Sequence, residues 1–389
     1  MTFYGQEGFG MRIHNGLVLT DKWQFEHRDV TLSTGKITDI SSYDDRSDSE
    51  ETLDATGMYV LPGLIDSHIH ACAGHDFCDL EQNSLCKMSE LLVRYGVTSF
   101  LPASMAYDEE RLEHVFREAG MLIESGIRGG SQIRGIHMEG PFFSKAKKGA
   151  QSERYLINPE IDFYDRLSAA SGGNIRIVDI APELPGAMDF IRHASAAAVV
   201  SVAHTSADYD TAAEAFRCGA SRVTHLFNAM PPFLHRSPGV VGAASDAGCD
   251  VELICDGFHV HPSVVRSVFR WFGDDKVILI SDAMMALGLP DGGYSLGGQS
   301  VRVAGGKATL ADGTLAGSAT DLLSCVRKAV SFGIPLESAV KAASFNPARS
   351  VGIDDSVGSI SAGKRADLIL LDSDSLDLVH VLIGGELCF

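Results

Sequence analysis

Two kinds of hydrophobic patterning divide the chain. Residues 11–60 alternate apolar and polar positions in short segments, RIHNGLVLT, DVTLSTGKITDIS and TLDATGMYVL, with Asn-Gly and Thr-Gly turn signals. Period-two alternation with such turns predicts a small antiparallel sheet. The closing stretch GSISAGKRADLILLDSDSLDLVHVLIGGELCF repeats the style. Chain ends commonly lie close together, so the two β segments are expected to pair into one small β-sandwich domain, residues 1–60 plus 351–389. The residues before Met11 read as an extension.

The middle, residues 61–350, is patterned differently. Apolar strand-like runs fall at 58–66, 97–104, 133–139, 175–181, 198–204, 222–227, 250–256 and 276–282. Between them lie helical stretches such as LCKMSELLVRYG, DEERLEHVFREAGMLIESG, ADYDTAAEAFRCG and PSVVRSVFRWFG. Strands apolar on both faces and alternating with helices predict an α/β fold, a (β/α)8 TIM barrel. After the eighth run, SLGGQSVRVAGGKATLADGTLAGS reads as a β-hairpin excursion. DLLSCVRKAVSFG and LESAVKAASFN then read as the closing helices.

Composition narrows the function classes. The chain has 389 residues, 45% hydrophobic and 21% charged, ordinary for a globular protein. Its formal charge of −19 argues against a nucleic-acid partner, which requires a basic face. An anionic substrate would need local positive charge against that background. No apolar run approaches the ~20 residues of a membrane span, and the start lacks the pattern of a secretory signal. The eight Cys show no CxxC. A reduced cytoplasmic protein, not a zinc–thiolate one, is therefore expected. The Gly-rich pieces lack the GxGxxG spacing of a dinucleotide site.

The chemistry gathers at the ends of the apolar runs. His68 and His70 end MYVLPGLIDSHIH, Glu139 ends IRGIHMEG, His204 ends AVVSVAHT, His225 ends RVTHL and Asp282 ends KVILISDA. Imidazole and carboxylate suit a borderline divalent ion such as zinc. Barrel active sites lie where the strands end. His68 and His70 alternate along one strand, so both point to one side. Asp282 could exchange a proton with a metal-activated water or, alternatively, cap a helix. Arg236, in the loop THLFNAMPPFLHRSPG, reads either as a fork for phosphate or carboxylate or as a solvated charge. His259 falls within reach of a substrate, His261 reads as structural at a helix start, and His137 as a core or supporting histidine.

Together HIH, HMEGPF, THLFNAM, DGFHVHP, SDAMMALGLPDG and LAGSA resemble the N-acetylglucosamine-6-phosphate deacetylases of the amidohydrolase superfamily. FNPARSVGI and GSISAGKRADLILLD resemble that superfamily's closing segments, so the resemblance spans nearly the whole chain from about Met11. It implies a barrel with a small β-sandwich and one or two divalent ions per subunit, zinc first, with iron or another divalent ion as alternatives. Glu139, His204 and His225 would hold the principal ion. His68 and His70, with Glu139 bridging and Asp282 adjoining, would hold a second. Asp282 becomes the general base and acid that works with metal-activated water. His259, Asn228, Ala229, Arg236 and Gln151 would bind the amino sugar phosphate, and Arg236 would reach the neighbouring subunit's site in a homodimer. The implied reaction gives glucosamine 6-phosphate and acetate. The alternative is another amidohydrolase, acting on a related N-acyl amino sugar or a cyclic amide. Many cyclic-amide hydrolases bridge two ions with a lysine on the fourth strand, which IRIVDIAP lacks. A non-catalytic binding scaffold would be expected to have lost part of this constellation.

Overall fold

The computed structural model describes residues 10–42, 51–81 and 83–389. The expected extension before Met11 lies outside them, apart from Gly10. The architecture is mixed α/β, and both patterning regimes fold as their periods require.

The alternating segments at the two chain ends share one eight-stranded sheet. Met11–Leu19 pairs antiparallel with Phe25–Ser33, which pairs with Lys36–Ser42. Met58–Pro62 joins the two ends: it pairs parallel with Met11–Leu19 and antiparallel with Leu368–Asp372. The far edge curls back, because Ile37 N donates to Lys364 O and Ala366 N to Gly35 O (both 2.9 Å). The concave side encloses a core of its own, built on Ile13, Val18, Val30, Val60, Leu368 and Leu382.

The continuous apolar runs form parallel strands with both faces buried. Leu64–Ile69, Val97–Pro102 and Gln132–Ile133 make one three-stranded sheet. Ile136–Met138, Ile175–Ile180, Val199–Val202, Arg222–Val223, Asp250–Ile254 and Val277–Ile280 make a six-stranded one. A bridge between Ala103 and His137 joins the two sheets on one side. On the other, Asp282 N donates to His68 O and His70 N to Ala283 O, each at 3.0 Å. The amphipathic stretches fold as helices Ser84–Leu92, Glu109–Ser125, Tyr209–Cys218 and Pro262–Phe272, packed outside the strands. Their starts obey capping chemistry: Asp108 accepts from Arg111 N and Asp208 from Thr211 N. His261 caps Pro262–Phe272 through Ser263 N, the structural role expected of it. The excursion folds as Gly292–Leu296, Gln299–Ala304 and Lys307–Thr309.

Three runs differ from the sequence reading. The run 133–139 is divided between two sheets, with Gln132–Ile133 in one and Ile136–Met138 in the other. The run 58–66 is two strands in two sheets, divided at Gly63. A Cβ there would lie 2.2 Å from Thr98 Oγ1, so only glycine lets the chain cross from one sheet to the other. The run 222–227 is strand only at Arg222–Val223, because its remaining residues turn toward the site. Apolarity alone does not reveal where a ladder stops.

Gly63→Ala is expected to lower the denaturant midpoint by the equivalent of about 1–3 kcal/mol, the usual cost of overpacking. Gly293→Ala, which meets nothing within 4 Å, should leave it nearly unchanged. Equal midpoints would remove the crowding argument.

Candidate active site

Six side chains from the C-terminal ends of the parallel strands converge on one buried point. Glu139 is central. Its Oε1 lies 3.2 Å from His204 Nε2, 3.3 Å from His225 Nε2 and 3.6 Å from His68 Nε2, and its Oε2 lies 3.5 Å from His70 Nε2. Asp282 Oδ1 faces the same space, 3.1 Å from His70 Nε2 and 3.6 Å from His68 Nε2. All six are buried. The expected candidates are thus brought together.

The local backbone explains how residues at strand ends turn inward. His204, His225 and Asp282 adopt positive φ of 42°, 31° and 48°, a left-handed conformation unfavourable for non-glycine residues. Such strain concentrates at functional sites, where the surrounding packing enforces it. His204 is clamped further: its ring stacks on Phe143 at 4.4 Å, and a Cβ on Gly149 would lie 3.1 Å from its Cε1.

Hydrogen bonding at Nδ1 determines what Nε2 can do. His204 Nδ1 faces Lys147 O at 2.8 Å and His70 Nδ1 faces Ala103 O at 3.0 Å. A carbonyl only accepts, so each Nδ1 carries a proton and Nε2 is the nitrogen turned inward toward the carboxylates. His68 Nδ1 faces Glu252 Oε2 at 2.9 Å, with the same result. His68 Nε2 and Asp282 Oδ1 are buried without any hydrogen-bond partner. Inward-facing nitrogens and two carboxylates form a site that a cation satisfies. The spacing agrees, since bonds of about 2.0–2.1 Å at a tetrahedral angle separate ligand atoms by about 3.3 Å. Two groups fit: Glu139, His204 and His225, and His68, His70 and Asp282.

The buried carboxylates and imidazoles shift one another's protonation. Burial disfavours the imidazolium, but the hydrogen bond to Asp282 and the charges of Glu139 and Asp282 push His70 up to about 9. His225 is likewise raised to about 9, against its burial, by its hydrogen bond to Glu139 and the nearby carboxylates. Burial would raise Glu139, yet its bonds to His204 and His225 hold it well below the usual carboxylate range. Asp282 is lowered against burial by its bond to His70 and the charge of His68.

His70, Glu139, His204, His225 and Asp282 form the floor of a cavity of about 500 Å³, also lined by His259, Asn228, Ala229 and Gln151. His259 Nδ1 meets Asp256 Oδ2 at 2.7 Å, which leaves Nε2 for the cavity. Asn228 Nδ2 donates to His225 O and Leu226 O (both 3.2 Å), and Ala229 has a φ of 52°. Gln151 is engaged at both ends: Oε1 accepts from Ala106 N at 2.8 Å and Nε2 donates to Glu139 Oε2 at 2.7 Å. Arg236 does not line this cavity; it is exposed, against His235 Nε2 at 2.8 Å. His137 is a supporting histidine, bonded to Ser67 O and Asp179 Oδ1 at 3.0 Å each, so neither nitrogen is available to an ion.

Sequence reasoning missed three contributors. Lys145, Lys147 and Lys148 line the mouth and supply positive charge in an acidic chain. The signal was present in KAKKG, the densest basic cluster near a candidate ligand. The excursion roofs the site: Leu296, Asp312, Thr314 and Leu315 line the cavity, and Gln299 Nε2 donates to Ala150 O. Glu252 and Arg222, buried beneath the histidines, had no sequence signal beyond a charge interrupting an apolar run.

The model of the Amidohydrolase family matches residues 59–388. The N-acetylglucosamine-6-phosphate deacetylase of Bacillus subtilis (strain 168) is 36% identical over 379 residues, 96% of this chain and 95% of that protein. The crystal structure of the Pasteurella multocida enzyme of that name superposes with a TM-score of 0.92 at 29% identity, covering 97% of this chain and 99% of the other. A mutant Mycobacterium smegmatis N-acetyl-D-glucosamine-6-phosphate deacetylase, solved in complex with N-acetyl-D-glucosamine-6-phosphate, gives 0.90 at 30% identity, covering 98% and 100%. The fold and site define a hydrolytic enzyme. The chain belongs to the amidohydrolase family.

Cation uptake should displace the protons held by His70 and His225. Because both values are raised, the competition begins as pH falls below about 9 rather than below the ordinary histidine value. Zinc affinity of the stripped protein should therefore fall steadily from pH 9 to pH 6. Calorimetry in buffers of different ionisation enthalpy should register proton release at pH 7.5, and an enthalpy independent of buffer would refute it.

Proposed function

We propose that this chain hydrolyses N-acetylglucosamine 6-phosphate to glucosamine 6-phosphate and acetate. The observation that carries the reading is the convergence of Glu139, four inward-facing imidazoles and Asp282 beneath a lysine-rimmed cavity, in a chain alike along its length to deacetylases acting on this compound. The alternative of a related N-acyl amino sugar has less support: an N-acetylgalactosamine-6-phosphate deacetylase of Escherichia coli O157:H7 is also 36% identical, but over 331 residues, against 379 for the Bacillus subtilis enzyme.

Glu139, His204 and His225 would hold the principal divalent ion, and His68, His70 and Asp282, with Glu139 bridging, a second. Zinc is the ion proposed, given imidazole and carboxylate donors. When bound, such an ion polarises a carbonyl oxygen and lowers the pKa of water. The chain's own groups do the rest. Asp282, held as a carboxylate, accepts a proton from the attacking water and delivers it to the departing amine nitrogen as the C–N bond breaks. His259, anchored by Asp256, points Nε2 toward the acetamide oxygen where negative charge develops. Gln151 orients Glu139, and Asn228 with the Ala229 backbone borders the sugar. The Lys145, Lys147 and Lys148 ammonium groups offset the acidic surface for the incoming phosphate.

The finer architecture belongs to the same proposal. The seam hydrogen bonds between His68–His70 and Asp282–Ala283 support a closed (β/α)8 barrel over 61–350. The separate core between the chain ends supports a small β-sandwich of residues 1–60 plus 351–389. Arg236 is proposed to serve the neighbouring subunit of a homodimer. Its loop turns away from its own cavity and exposes Phe233 and Leu234, with Phe233 against Trp271 at 5.5 Å. Among the described residues no helix is long and apolar enough to cross a membrane, and a cytoplasmic location is proposed.

Asp282→Asn should lower kcat for acetate release by about 10²–10⁴-fold while the ion assigned to Glu139, His204 and His225 is retained. Near-normal turnover would remove Asp282 from the proton transfer. The phosphorylated sugar should exceed unphosphorylated N-acetylglucosamine in kcat/KM by at least about tenfold, the worth of one charge-assisted contact. Arg236→Ala should erode that advantage without affecting the unphosphorylated sugar, and equal kcat/KM for both sugars in the wild type would sink the phosphate assignment.

A further inference from the structure

Beneath the histidines lies a buried ion pair that none of the proposed chemistry uses. Glu252 interrupts the apolar strand Asp250–Ile254 and is fully buried. Arg222, at the start of the strand Arg222–Val223, is the largest fully buried side chain among the described residues. Its NH2 lies 2.7 Å from Glu252 Oε1 and 2.6 Å from Ser67 Oγ, and its NH1 lies 3.4 Å from Ser350 Oγ. Burying two charges is expensive, and a pair of this kind is weak evidence for stability. Its contacts suggest another purpose. Glu252 Oε2 accepts from His68 Nδ1 at 2.9 Å and from His225 N at 3.2 Å.

We infer that the Arg222–Glu252 pair is a positioning device that presents His68 to a cation and so sets whether the second ion site fills. This rests on reading His68, His70 and Asp282 as ion ligands. The three proposed ligand histidines with a bonded Nδ1 are oriented by different groups: His70 and His204 by backbone carbonyls, His68 by a carboxylate. A carbonyl is present whatever the side chains are, whereas the His68 acceptor exists only because Glu252 is buried there. A buried carboxylate needs a counter-charge, and the Arg222 guanidinium, 2.7 Å from Glu252 Oε1, supplies it. Arg222 also fixes Ser67, the residue before His68, so the pair controls the ring at both its backbone and its Nδ1. The bare, unpartnered His68 Nε2 between Glu139 and Asp282 is the result. His137 approaches the same carboxylate group, but both its nitrogens are occupied and Arg222 supplies the counter-charge, so no ion is needed at that level.

The first ion's ligands depend less on the pair. Glu139 is held by Gln151, and His204 by Lys147 O. His225 would lose the bond from its own N to the Glu252 carboxylate, but its neighbour's backbone bond, from Leu226 N to Glu252 O (2.8 Å), survives any substitution at 252. The pair should therefore act selectively on the second site.

The test is zinc stoichiometry and affinity by equilibrium dialysis on the full chain. It compares wild type with Glu252→Gln and with the paired variant Arg222→Met, Glu252→Leu, which removes both buried charges and leaves neither unpaired. The wild type is expected to bind two zinc ions. Both variants should keep the tighter ion within about threefold, while the weaker ion loses about 10–100-fold in affinity, the usual cost of removing a ligand-orienting partner. Folded variants that bind both ions like the wild type would overturn the inference, as would a wild type that binds only one. If circular dichroism shows the variants unfolded, histidine-selective ¹⁵N NMR of the zinc-loaded wild type decides, with His68→Gln supplying the assignment. A proton on His68 Nδ1 supports the device, and a proton on Nε2 overturns it. Acetate release is measured separately on the wild type, so failure of the substrate reading leaves the zinc counts interpretable, and the reverse.

Discussion

The rest of the site depends on one constraint: Glu139 is a buried carboxylate within 3.6 Å of four imidazole nitrogens, most of them fixed so that Nε2 faces inward. A cluster of that kind cannot be neutral and fully bonded together. The two carboxylates push the pKa values of His70 and His225 upward, and a divalent cation is the other charge that would satisfy the cluster. Everything around the cluster serves to keep those nitrogens from turning away. Lys147 O, Ala103 O and Glu252 each occupy an Nδ1, Phe143 flanks a ring, and Gln151 ties the carboxylate.

Holding the side chains this way has a backbone cost. His204, His225 and Asp282 leave their strands through left-handed conformations, and Gly149, at a φ of 55°, passes so close that a Cβ would lie 3.1 Å from His204 Cε1. Parallel strands flanked by helices can carry that strain because their ladders and buried faces over-determine the positions just below it. The same arrangement leaves the strand ends open to loops from elsewhere in the chain. The lysine loop and the excursion close over the ligands and turn a cluster of polar groups into a cavity.

Much of this was legible in the sequence. Period-two alternation at both ends and continuous apolar runs in the middle separated the two sheet types, because a sheet's exposure dictates its side-chain pattern. The converging residues stood out because a histidine or carboxylate closing an apolar run has no packing reason to be there. Gly63 was not legible, since a glycine inside an apolar run is unremarkable until Thr98 is seen against it. Nor were the lysines assignable, because a basic cluster on a loop reads the same whether it faces solvent or a substrate. Arg222 and Glu252 were hidden by sequence separation, each being an isolated charge until the strands bring them together.

The sequence by itself determined which residues could bind an ion and that parallel strands would carry them, since both follow from local chemistry and periodicity. Only the tertiary structure decided which nitrogen of each histidine faces inward. That choice belongs to partners tens to hundreds of residues away, such as Ala103 O for His70 and Glu252 for His68. A side chain's identity is local, but its tautomer and aim are set by whatever the fold packs against it.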